Sequence, residues 1–178
     1  MTDLVRRAGA GRAVDGTDVV WSVAEGRKGR RWREVRSRDG VVVSSLLLES
    51  FTDRRFAHLE LSTAAGLLTL HPESDGTLHG NAVLTDGVHH IVGLAWPEGS
   101  TLIVDGSAVA IAAAAWFAHL AWDGQRHEAR LPIVTVSPTL DVHAGTIPGD
   151  GLSHVVIDAD GLPVLSDGRV WPLEIEPD

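Results

Sequence analysis

Apolar and polar positions alternate with a period of two through much of the chain, and Asp-Gly pairs interrupt the alternating runs at short intervals. Such a pair readily supplies the left-handed backbone of a tight turn, and nine of them, with Asp at 15, 39, 75, 86, 105, 123, 150, 160 and 167, punctuate the sequence. The runs between them read as strands: VVWSV, RWREVRS, VVVSSLLLES, RFAHLELS, LLTLH, TLHGNAVL, VHHIVGLAW, TLIV, ARLPIVTV, SHVVID and RVWPLE. The pattern predicts a mainly β chain, an antiparallel sheet of many short hairpins curled into a barrel or half-barrel. So many strands need either two packed sheets or one curling sheet.

One run departs from the period of two. SAVAIAAAAWFAHLAWDG is Ala-rich, with Val109, Ala113, Trp116 and Leu120 at helical spacing, Ser107 placed to cap the start and Gly124 to end it, so a helix is expected around 108–122. The alternative makes Ser107 to Ile111 one strand and WFAHLAW another.

The stretch HPESDGTLHGN, residues 71–81, is constrained by its proline. A two-residue loop would set Pro72 opposite His79 at a hydrogen-bonded position, where proline has no N–H to give. A three-residue loop, Ser74-Asp75-Gly76, closes at Glu73 and Thr77 and sets Pro72 opposite Leu78, with Gly76 at positive φ. Alternation then puts Leu68, Leu70, Leu78 and Ala82 on one face and Thr69, His71, His79 and Asn81 on the other, with His71 and His79 as cross-strand neighbours. Applying the same turn to LTDGV (84–88) closes it at Leu84 and Val88. That register sets His89 opposite Val83 on the histidine face and leaves His90, Val88, Val92, Leu94 and Trp96 on the apolar one.

Composition and charge narrow the classes. With 44% hydrophobic and 22% charged residues the chain is expected to fold unaided as a single domain, 1–178, with 1–17 a flexible N-terminal segment. No apolar run is long enough for a membrane span, and the first twenty residues lack a signal-peptide core, so a cytoplasmic protein is expected. There is no cysteine, which removes disulfides, thiol catalysis and Cys-ligated zinc. One Lys against fourteen Arg points to a GC-rich bacterial source. The net charge of −9 hides a basic stretch, GRKGRRWREVRSRDG (26–40), with seven positive residues that suit either a solvated edge strand or contact with phosphates and anionic headgroups. The acidic remainder disfavours specific nucleic-acid binding.

Grouped imidazoles can relay a proton or hydrogen-bond a ligand, and Asn81 can polarise an oxyanion, provided their face lines a cavity; the simpler reading makes that face the wet side of a sheet. No metal-ligand spacing such as H-E-x-x-H, no nucleophile elbow, P-loop or dinucleotide fingerprint occurs, so neither a metal nor a cofactor is expected. The last fifty residues or so, LPIVTVSPTLDV and SHVVIDADGLPVLSDGRVW, resemble the closing segments of the bacterial glycolipid-binding family through a Pro-x-Leu strand and an Asp-x-Asp-Gly turn. The family's Thr-Asn-Thr-rich stretch is absent. The resemblance implies a half-barrel akin to lipoprotein carriers and no particular binding residue. Two functions follow as expectations. One is a binder or carrier of a hydrophobic or amphipathic, lipid-like small molecule, with Trp32, Trp96, Trp116 and His89 at the ligand. The other is a small β-barrel isomerase, cyclase or lyase using His71 and His79 as acid and base with Asn81 as donor.

Overall fold

The computed structural model describes residues 6–13, 15–118 and 130–148, together with the strand segments 155–157, 163–166 and 173–175. It is mainly β. Eight consecutive strands, β1 (Arg6–Arg12), β2 (Asp18–Gly26), β3 (Gly29–Arg38), β4 (Val41–Ser50), β5 (Phe56–Thr63), β6 (Gly66–Pro72), β7 (Thr77–Leu84) and β8 (Gly87–Ala95), form an antiparallel meander. Next come β9 (Thr101–Val104), α1 (Ala108–Phe117), β10 (Arg130–Val136), β11 (Val142–Pro148), β12 (Val155–Ile157), β13 (Pro163–Ser166) and β14 (Leu173–Ile175). β14 joins the edge of the meander beside β1, giving a nine-stranded sheet with β14 and β8 as its outer strands. Among the described residues no pairing closes that sheet. β9, β10 and β11 form a second sheet in which β9 and β10 run parallel, and α1 lies in the crossover that a parallel pair requires.

Residues 6–12, expected to belong to a flexible end, form β1. Their small side chains are what let them pair: buried Gly9 lies opposite Trp21 and leaves room for the indole. The Asp39-Gly40 hairpin is a two-residue loop with positive φ at both positions, 51° and 78°, the type I′ geometry that matches strand twist. The hairpin at Asp75-Gly76 closes as its proline requires. The Glu73 N–H donates to the Thr77 carbonyl at 2.8 Å, Gly76 has φ +80°, and Pro72 pairs with Leu78 and His71 with His79.

The turn at Asp86-Gly87 does not follow the same rule. Its loop is Thr85-Asp86, closed by Leu84 and Gly87, so Asn81 faces His90 and Ala82 faces His89, exchanging the expected places of the two histidines. Val88 pairs with Val83 on the Asn81 face instead of joining the apolar side. A bulge between β7 and β8, with Gly93 at φ +67°, then resets the register and returns Leu94 to the covered side. The residue that follows Asp-Gly differs between the two turns. Asp75-Gly76 is followed by Thr77, whose N–H (3.1 Å) and hydroxyl (2.6 Å) both donate to the Asp75 carboxylate, and Asp15-Gly16-Thr17 repeats the arrangement at 3.0 and 2.6 Å. Val88 has no hydroxyl to offer. Gly87 instead opens its strand at φ +135°, as Gly29 (+132°) and Gly66 (+147°) do after the two-residue loops 27–28 and 64–65.

One face of the meander carries Trp21, Trp32, Leu46, Leu48, Phe56, Leu59, Leu61, Leu68, Leu70 and Leu78, all buried. α1 covers it together with Leu102, Val104, Val134 and Val136 from β9 and β10. Eight of the ten helix residues are buried, so the helix has no polar stripe, which is why its sequence admits a strand reading as well. Its alanines permit close approach, and Trp116 and Phe117 meet Trp32 and Phe56 edge to face. Ser107 caps α1 as expected by accepting from the Ala110 N–H (3.0 Å), while its hydroxyl donates to the buried Glu34 carboxylate on β3 (3.0 Å). Leu120 and Gly124, expected to complete the helix, lie outside the described residues, as do the Asp-Gly pairs at 123, 150, 160 and 167.

The strand-opening glycines separate two costs. Gly87→Ala should lose about 1–3 kcal/mol of unfolding free energy in urea, because a side chain is held in a backbone region reserved for glycine. Gly66→Ala should lose more, because its methyl would also lie 2.0 Å from the Val83 carbonyl oxygen. Equal losses at the two positions would show that the close approach carries no weight.

Candidate functional site

The face of the meander turned away from α1 holds the imidazoles. His71 and His79 stand side by side with Asn81 next along β7 opposite Thr69, as the sequence implied, but the third histidine beside Asn81 is His90 rather than His89. The His90 Nδ1 and Asn81 Oδ1 atoms are 2.7 Å apart, and His71 Nε2 lies 3.1 Å from Glu73 Oε1. His89 sits at the exposed tip, 2.8 Å from Asp86. His58 on β5, opposite Glu49, adds a fourth imidazole to the face. Alternation in RFAHLELS already sets His58 with Glu60 and Ser62, but only the strand order shows that this is the histidine face. No group of three metal-ligating side chains converges among the described residues.

The tryptophans expected at a ligand belong to the packed core. Trp32 is fully buried, Trp116 nearly so, and Trp96 is partly buried against Phe56 (5.3 Å between ring centres), its backbone N–H donating to the Gly76 carbonyl of the 73–77 turn. The indole N–H groups of Trp32 and Trp116 have no acceptor among the described residues, so packing rather than hydrogen bonding holds them.

Among the described residues two surface clefts stand out, and neither a histidine nor a tryptophan lines either. The smaller, about 260 Å³, opens where α1 begins. The Glu34 carboxylate there is already engaged, accepting from Arg36 Nε at 2.9 Å and from Ser107, while Arg36 also bonds the Gly106 carbonyl. These contacts anchor the helix to the sheet and leave Glu34 little capacity for a ligand.

The larger cleft, about 560 Å³, lies at the β2–β3 hairpin, where the basic stretch turns. Five cations line it: Arg6, Arg27, Lys28, Arg30 and Arg31. Its two carboxylates are both engaged, Glu25 with Arg30 at 2.9 Å and Glu49 with Arg31. Arg6, Arg27 and Lys28 have no ion-pair partner among the described residues. The Arg30 side chain is only 3% exposed, with its guanidinium 3.6 Å from the centre of the Trp116 ring, and Arg54 meets the same ring at 3.9 Å. A desolvated contact of this kind is worth about 2 kcal/mol. It ties the cleft floor to the aromatic core. Gly29 is required there, since a Cβ would lie 1.8 Å from the Ser50 carbonyl oxygen. Ala24, Ala57 and the half-exposed ring of Phe51 give the cleft an apolar side.

Comparisons with protein-family models, with curated proteins and with solved structures find nothing that matches this chain.

The geometry of the histidine hairpin carries a pH consequence. Asp75's carboxyl is held below the ordinary carboxylate value, chiefly by the Thr77 hydroxyl. Its contribution to stability is therefore present above the unfolded value near ~3.9 and is lost as pH falls through the lower folded value. Thr77→Val should raise the Asp75 pKa towards the ordinary value in an NMR carboxyl titration. An unmoved titration would show that the hydroxyl does not set it.

Proposed function

We propose that the protein binds an amphipathic small molecule carrying an anionic group, with the anion in the 560 Å³ cleft and the apolar part against Phe51, Ala24 and Ala57. The supporting observation is the charge balance of that cleft. Three cations have no ion-pair partner among the described residues, around a wall whose carboxylates are already occupied, so an anion would relieve their mutual repulsion and gain charge-assisted hydrogen bonds. Arg30, fixed by Glu25 and Trp116, supplies a preorganised side to the site. In this reading the nine-stranded sheet is the wall of a half-barrel whose covered face α1 fills, and the ligand docks at the hairpin end. The resemblance of the closing segment to the glycolipid-binding family points to the same ligand class. Acid–base chemistry through His71, His79 and Asn81 draws no comparable support, since none of the three lines either cleft.

Calorimetric titration with dodecyl phosphate should give saturable one-to-one binding that weakens as salt is raised, and dodecyl maltoside, with a neutral head, should bind far less. Replacing Arg27 and Lys28 together by Ala should weaken dodecyl phosphate on the order of tenfold or more. Equal binding of the two amphiphiles, or none of either, would remove this reading.

A further inference from the structure

A sheet face left to water should carry polar side chains, yet the face turned away from α1 carries an apolar row. One register line crosses it from β2 to β8. Val20 pairs with Val35 at one end, Leu67 with Val83 and Val83 with Val88 at the other, and only Ser45 and Ser62 stand between. Val20, Val35, Val83 and Val88 are 56, 39, 45 and 55% exposed. On the next line Arg33 on β3 and Glu60 on β5 flank Leu47 on β4, and neither charge has an ion-pair partner among the described residues. Charge is also segregated across the sheet: residues 6–38 (β1–β3) hold ten Lys and Arg against four acids, whereas 56–95 (β5–β8) hold four acids and no Lys or Arg.

We propose that this face is the interface of a two-fold homodimer, with the axis running along β4. A two-fold interface has to be self-complementary, residue i meeting j while j meets i, and the face meets that condition. Rotation about β4 lays the basic half of one copy over the acidic half of the other. Arg33 then meets Glu60 of its partner at two equivalent places, Leu47 meets its own copy, Val35 covers Ser62, Val20 covers Leu67, and Ala10 of β1 covers Val83. Glu49, which would also meet its own copy, is already neutralised by Arg31. A partner of uniform charge would complement only one half of the surface, which is why a second copy of this chain fits it best. The Arg31 and Glu49 side of the basic cleft borders this face, while Arg27, Lys28 and Arg30 lie off it; the dimer is read from the mass without ligand, so it and the proposed ligand are tested separately.

Light scattering after gel filtration, and sedimentation velocity over a wide concentration range, should give twice the 19.0 kDa of one chain. Val35→Asp and, independently, Val20→Asp should yield monomers whose thermal melting stays cooperative, because both side chains are exposed. Arg33→Glu should weaken association on the order of tenfold or more, and adding Glu60→Arg should restore it, a rescue that only the reciprocal pair explains. A wild-type monomer at every concentration would overturn the proposal, as would a dimer indifferent to Val35→Asp and to the charge reversal. A monomer that instead uses this face to bind lipid vesicles or another protein would overturn it too.

Discussion

A single meander whose covered face bears Leu48, Leu59, Leu68, Leu70 and Leu78 can exist in water only if something lies over that face. At roughly 1.5–3 kcal/mol for each fully buried large side chain, this burial is the largest favourable contribution in the fold. The cover is α1 with β9 and β10, and it works because alanines at 110, 112, 113 and 114 let the helix backbone approach the leucines closely. Polar contacts then fix where the cover sits. Ser107 both caps the helix and donates to Glu34 of β3, and the Thr101 hydroxyl donates to the Ala114 carbonyl at 2.7 Å. Each satisfies a buried group that would otherwise cost about 1–3 kcal/mol.

The same packing positions the basic cleft. Burying a guanidinium is unfavourable unless it is paired, and Arg30 is paired with Glu25 and stacked on Trp116, the penultimate residue of α1. The cleft's inner wall therefore inherits the rigidity of the aromatic cluster, while Arg27 and Lys28 sit on the two-residue loop at its mouth.

Turn chemistry decides what shares the opposite face. Where Thr follows Asp-Gly, its hydroxyl and N–H bond the Asp carboxylate and the loop takes three residues; where Val follows, at 41 and 88, the loop takes two. In a strand pair one residue of register exchanges every side chain between faces. A single hydroxyl at the 85–88 turn would thus separate a sheet showing His90 to its open face from one showing His89. The rows of valines and imidazoles on that face follow from this choice repeated hairpin by hairpin.

The sequence by itself determined the β class, the hairpins at Asp39 and Asp75, the pairing of His71 with His79, the cap at Ser107 and the basic stretch. Those features depend on neighbours within a few residues: alternation, a proline lacking its N–H, a glycine free to take positive φ. It did not determine that β1 is a strand, since Ala8 to Gly11 carry almost no side-chain pattern and only pairing with β2 defines them. Nor did it determine the helix outright, because a segment buried on all sides shows no period to read. Only the tertiary structure gathered Arg6, Arg30 and Arg31 around one cleft, packed Trp32 and Trp116 in the core, and joined His58 to the histidine face. Those juxtapositions come from strand order and from which face is covered, and residues distant along the chain settle both.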